Sequence, residues 1–119
     1  MRTRSGTRDS YVVKIDTTII AGSVVALDGG FAVPATNSPG LVVVGVSLGT
    51  VTGDGQKTVS VAATCVLLNN SEVAPITLAD HINELCFIQD DGAVAHTTSE
   101  SIAVGRVRNV CPDGVWVQI

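Results

Sequence analysis

The chain has 119 residues, a formal net charge of −4, only 15% charged residues and four aromatics, Tyr11, Phe31, Phe87 and Trp116. One domain is expected at this length, large enough to bury a core without a metal or disulfide staple, and the acidic balance disfavours nucleic acid as a partner, since a hold on phosphate needs clustered Lys and Arg. Val, Ala and Ile dominate the apolar set, which suits pleated sheet, and a mean hydropathy of +0.41 implies surface hidden against another subunit.

Residues 1–9 carry Arg2, Arg4 and Arg8 without an apolar run and read as a flexible basic arm; residues 10–119 read as a single β domain. The arm is either a tether to an acidic surface or a loose chain end. "YVVKI" (11–15) reads as a strand and "DTTIIAGS" (16–23) as a connection. Residues 24–27 and 31–33 form a hairpin around Asp28-Gly29-Gly30. "PATNSPG" (34–40) is a loop.

"LVVVGVSLGTV" (41–51) is apolar on both faces, so it needs two covers: a closed barrel, a sandwich or a subunit interface. "TGDGQKT" (52–58) is a polar loop. "VSVAATCVLL" (59–68) reads as one half-buried strand with Val59, Val61, Ala63, Cys65 and Leu67 on one face. "NNSEVAPI" (69–76) is a loop, and residues 77–84 are the one helical candidate, with Thr77 as N-cap and Asp80 completing a box-like pattern. "LCFIQ", "AVAHT", "SIAVGRVRNV" and "VWVQI" follow as strands between turns at Asp90-Asp91-Gly92, Thr98–Glu100 and Pro112-Asp113-Gly114. The fold class is therefore all-β: a small compact barrel or sandwich of hairpin-connected strands with at most one short helix.

Chemistry is sparse. His81 and Glu84 would share a helix face near Cys86, but a metal site needs a further inward ligand, and a polar surface helix explains them as well. His96 has Ser99, Asp90 and Cys86 within imaginable reach, yet no nucleophile signature accompanies it. Gly53, Gly55 and Lys57 lack the spacing of a phosphate loop. No catalytic residue, metal or cofactor is expected. Cys65, Cys86 and Cys111 are odd in number and widely spaced, which excludes a disulfide framework or zinc signature; Cys65 and Cys86 read as small buried hydrophobes. With no secretory h-region and no span-length apolar run, a product of a reducing cytoplasm is expected, away from membranes. Arg106 and Arg108 alternate on one face of the penultimate strand behind Ile102 and Val104, as edge-protecting charge or as contacts to a partner's carboxylates. Trp116 points opposite Val115, Val117 and Ile119, to cap the barrel end or anchor a subunit contact.

Taken in order, "AGSVVALD", "GFAVPA", "GLVVVGVS", the Gly/Asp loop before "KTVSV", "ITLADHINELCFIQDDGAVA" and "AVGRVRNVCPDGVWVQI" resemble the small capsid decoration, or cement, proteins of tailed bacteriophages. The resemblance runs from about Ala21 to Ile119 and lies in the order and spacing of the segments. The three cysteines and the Arg-rich start depart from the family's pattern. The resemblance implies a structural virion protein, made in the host bacterial cytoplasm, that sits outside an expanded head across junctions between major-capsid subunits. It implies no catalysis, cofactor or DNA contact. Its partners would be the major capsid protein and copies of itself, a trimer before a dimer, with Arg2, Arg4, Arg8, Arg106, Arg108 and Trp116 as contact candidates. The rival class is a β-barrel surface module that binds a carbohydrate or peptide.

Overall fold

Residues 7–119 are described by the computed structural model, in which the apolar alternation becomes short strands and one helical turn. In chain order these are β1 (Thr7–Val12), β2 (Thr18–Ile19), β3 (Val24–Asp28), β4 (Phe31–Pro34), β5 (Val42–Ser47), β6 (Val51–Thr52), β7 (Thr58–Ala63), β8 (Cys65–Asn70), α1 (Leu78–His81), β9 (Leu85–Asp90), β10 (Ala93–Ala95), β11 (Ala103–Cys111) and β12 (Gly114–Gln118). The all-β expectation holds.

The strands form two five-stranded units. The first is a sheet in the order β1-β7-β5-β3-β4. A parallel bridge from Val13 to Ala32, with the Lys14 N–H donating to the Ala32 carbonyl at 3.0 Å, brings the end of β1 round to β4. The sheet thus curls almost into a ring. The second unit is a closed barrel in the order β10-β8-β12-β11-β9, and closure leaves no free edge there. β2 and β6 form a separate two-stranded ribbon.

Each unit has its own core, and β3 serves both. Val24 and Ala26 join the barrel core with Ile88, Val94, Val107, Val115 and Val117. Val25 faces the other way, into a second core with Val13, Ile19, Ala32, Val59 and Val61. β5 does the same: Val43 packs on the barrel core and Val44 on the second. The doubly apolar strand therefore finds both of its covers inside the chain, so its pattern gives no argument for a partner. Burying each such Val or Ile contributes roughly 1.5–3 kcal/mol.

Several sequence expectations are corrected. The continuous strand 59–68 is two strands in different sheets, broken at Thr64, where the chain passes from the first unit to the barrel. The break shifts the alternation: Val59 and Val61 are buried, but beyond it Leu68 is buried while Cys65 and Leu67 face solvent. Cys65 is thus not a core residue. The helix spans only Leu78–His81, and Thr77 makes no side-chain cap; its hydroxyl donates to Asp80 Oδ2 at 3.2 Å instead. Glu84 lies beyond the helix, so it does not share a helical face with His81. Thr7, Arg8 and Asp9 belong to β1 rather than to an arm, with Arg8 paired to Ala62. Arg2 and Arg4 lie outside the described residues.

Loop 71–77 is fixed by its neighbours. Asn70 Nδ2 donates to the Ile76 carbonyl and Oδ1 accepts the Ile76 N–H, both at 2.8 Å. The buried Ser71 hydroxyl accepts the N–H groups of Val73 and Ala74 at 3.1 and 2.9 Å. Every backbone bond so made lowers the entropy left to lose when the loop meets a partner.

Candidate functional site

The outer wall of the barrel, across β8, β12, β11 and β9, gathers several of the residues singled out in the sequence. Val115 and Val117 point inward with no exposure, which turns Trp116 outward, 39% exposed. Directly opposite it on β8 stands Leu67, 40% exposed. Adjacent cross-strand aromatic and aliphatic side chains stabilise a sheet, and here both also keep an exposed face. One row further, Gln118 lies between Cys65 on β8 and Arg106 on β11, and Leu85 of β9 faces Arg106, itself 44% exposed.

The arginines reach this wall through a bulge. Simple alternation places Ile102, Val104, Arg106 and Arg108 on one face. The β9–β11 register instead slips between Ala103 and Gly105, so Val104 is buried while Arg106 is exposed. A second slip, between Val107 and Asn109, leaves Arg108 unopposed on β12 and also exposed. Bulges re-aim side chains in this way. The first depends on Gly105, where a Cβ would collide with the Gln118 carbonyl.

Both guanidinium groups then close on one residue. Arg106 Nη1 donates to the Asn83 carbonyl at 2.8 Å, and Arg108 Nη1 donates to Asn83 Oδ1 at 3.0 Å. Asn83 has φ of 65°, a left-handed conformation that Asn tolerates. The surrounding turn is zipped onto β11 by Asn83 N–H to the Val107 carbonyl at 2.9 Å and Val107 N–H to the Glu84 carbonyl at 3.0 Å. The arginines are therefore held in place rather than trailing in solvent. Among the described residues, neither makes an ion pair, unlike Lys14, which pairs with Asp28 at 3.0 Å.

A cleft of about 600 Å³ opens at the end of the barrel where β8 stops and β11 turns into β12. Asn69, Glu72, Gln89 and Asp113 line it, with Val73, 92% exposed, at its side. An apolar hollow of about 320 Å³ lies on the other unit, between Lys14, Ile15, Phe31 and Gly55.

The other sequence candidates separate. His81 Nδ1 accepts the Thr77 N–H at 2.8 Å, and its ring stacks on His96 with centroids 4.9 Å apart and planes 13° from parallel. Parallel rings aim their lone pairs side by side rather than at a shared point, so this pair does not chelate as it stands. No three His, Cys, Asp or Glu side chains among the described residues are grouped to hold a metal. Asp90 Oδ1 accepts the Gly92 N–H, and Ser99 Oγ accepts from Asn37 Nδ2, which commits both elsewhere than His96. In the 52–58 loop, Asp54 Oδ1 accepts the Gln56 and Lys57 N–H groups at 2.9 and 2.8 Å, and these bonds hold its carboxyl below the usual range. The amides a phosphate would need are thus already taken.

Cys86 is buried, and burial pushes its thiol up to about 11. Cys65 is exposed. A thiol reagent at pH 8 is therefore expected to modify Cys65 in the folded protein and Cys86 only after unfolding, because the thiolate is the reactive form. Mass mapping of the labelled sites checks this; equal labelling rates for the two would contradict the burial.

Sequence reasoning missed Leu67 and Asn83. The first is hidden by the break at Thr64. The second carries no local signal, since its two partners lie 23 and 25 residues away. No family model, curated protein or solved structure matches this chain.

Proposed function

We propose that the chain is a structural virion protein that decorates the outer surface of a tailed-phage capsid, binding across junctions between major-capsid subunits. The observation that carries this reading is the barrel wall: an exposed Trp116–Leu67 pair beside two arginines held by Asn83. Trp and Arg are the residues that most often anchor protein contacts, and prior fixation lowers the cost of making one. The order of segments from Ala21 to Ile119, with its resemblance to cement proteins, points the same way.

Cementing is a linkage effect. A protein that binds the expanded lattice and not its precursor stabilises the expanded state by its binding free energy at every occupied site. Beside the wall, the basic N-terminal arm and loops 34–40 and 52–58 offer further contacts to the head. The first loop is tied to its neighbour through Asn37, whose Nδ2 donates to Ser99 Oγ at 2.8 Å and whose Oδ1 accepts the Glu100 N–H at 3.1 Å. The second is shaped by Asp54.

Deleting residues 1–6 removes Arg2 and Arg4 but leaves β1 whole. This variant is expected to melt within about 2 °C of the parent, since all the pairs from Thr7 to Val12 with β7 are kept. It should bind heads more weakly, with the deficit larger at about 50 mM salt than at about 500 mM, where screening already removes the arginine contribution. Deleting residues 1–9 should in addition destabilise the fold, because Thr7, Arg8 and Asp9 pair with Ala63, Ala62 and Val61. Unchanged head affinity of the shorter deletion across that salt range would show that the arm takes no part.

A further inference from the structure

We propose that Arg106, Arg108 and Asn83 form a fork for carboxylate groups, and that its occupant is an Asp- or Glu-bearing segment of a partner protein, flanked there by apolar side chains. The inference rests on the decoration reading for the identity of that partner, the major capsid protein, and names the chemistry by which the barrel wall holds it.

The fork follows from how its arginines are fixed. Each donates one N–H to Asn83, Arg106 to the main-chain carbonyl and Arg108 to Oδ1. Two guanidinium groups bonded to one residue are close neighbours, and their like charges repel. An acidic residue at position 83 would relieve that repulsion on the spot, because a charged acceptor makes the stronger bond to Arg. Asn instead fixes both groups through neutral oxygens and leaves their charge uncompensated. Glu84, the next residue, is exposed and pairs with neither arginine among the described residues. Asp90, the acidic residue of β9, closes that strand at the end away from Leu85 and Arg106. Two cations are thus held side by side with most of their donors free. That arrangement suits an oxyanion group with at least two oxygens, which the planar guanidinium meets with paired bonds.

The surroundings of the fork choose among oxyanions. Trp116, Leu67 and Leu85 keep exposed faces on the same wall. Apolar side chains of a protein segment can cover them, whereas the backbone of a nucleic acid cannot. The chain also carries a net charge of −4, which repels a polyanion that extends past the fork. A carboxylate on a short side chain meets the arginines and leaves its neighbours free to pack on Trp116. The fork exists before the partner arrives. The bulge at Gly105 aims Arg106 outward, and the turn at Asn83 is bonded to β11 through the Val107 N–H and carbonyl. The entropy of ordering two long side chains is therefore lost on folding rather than on binding.

NMR of the arginine Nε–Hε groups in the full chain tests the fork without heads, with glutarate as the probe and sodium chloride at matched ionic strength as the control. The Arg106 and Arg108 signals are expected to shift saturably with glutarate, with a Kd on the order of 10 mM, and not with chloride. Asn83→Asp is the sharpest variant. It keeps the acceptor and a left-handed conformation that Asp tolerates, so the melting temperature should not fall. Glutarate should nevertheless bind about 10-fold more weakly, because the built-in carboxylate takes its place. R106K/R108K keeps both charges but loses the planar donors, and a similar loss of about 10-fold is expected. Chloride that reproduces the glutarate shifts overturns the fork, as does an Asn83→Asp variant that binds glutarate like the parent. Inorganic phosphate that binds about 10-fold more tightly than glutarate overturns the choice of carboxylate. Heads are scored separately. Where the parent binds expanded heads, both variants should bind them about 10-fold more weakly; equal binding overturns the place given to the fork and leaves decoration standing. A parent that binds glutarate as described but ignores heads defeats the decoration reading and leaves the carboxylate fork standing.

Discussion

Gly105→Ala is expected to lower stability by about 3 kcal/mol or more and the melting temperature by about 10 °C. The added Cβ would overlap the Gln118 carbonyl on β12, and that atom is backbone, so no side-chain rotation relieves it. β11 must move away from the chain end or lose the bulge. Losing the bulge would restore simple alternation and turn Arg106 toward the side that Val104 now occupies. The variant should therefore lose the hold of the Asn83 carbonyl on Arg106 as well as stability. A melting temperature within about 2 °C of the parent would mean that the approach at Gly105 is looser than described.

Ile88→Ala is expected to cost about 3–4 kcal/mol, within the usual range for truncating a buried Ile. Ile88 is fully buried in the barrel core with Cys86, Val94 and Val104. A closed five-stranded barrel has little freedom to collapse around the void, because each strand is bonded on both sides. The matched control is Ile20→Ala, at a side chain 60% exposed, where the change should stay below about 0.5 kcal/mol. Urea melts of both variants check the contrast. Similar midpoints would contradict the placement of the core.

The parts of the fold that were legible in the sequence are those with local turn chemistry. Asp28-Gly29-Gly30 and Pro112-Asp113-Gly114 each sit between strands that pair as hairpins, β3 with β4 and β11 with β12. Trp116 was readable as outward-facing because Val115 and Val117 bracket it in strict alternation. The passage between the two units was not readable. Ala62-Ala63-Thr64-Cys65 contains no Gly, Pro or Asn, so nothing marks the corner, and Cys65 and Leu67 beyond it were assigned to the wrong face. The same holds for the arginines. Their outward aim comes from two register slips, of which Gly105 is the one visible trace, and their fixation comes from Asn83 across a tertiary contact. Pairing between strands decides such features, and a single sequence carries no record of it. The apolar strand 41–51 teaches a related point. Its two covers were anticipated correctly as a need, but the chain meets that need with two cores of its own.

The proposed decoration role is tested most directly by co-sedimentation of the purified chain with empty tailed-phage heads, before and after expansion. Saturable binding to expanded heads, with none to unexpanded ones, is the expected result, since linkage stabilises only the state that is bound. Equal binding to both forms, or to neither at micromolar protein, would contradict a cementing role.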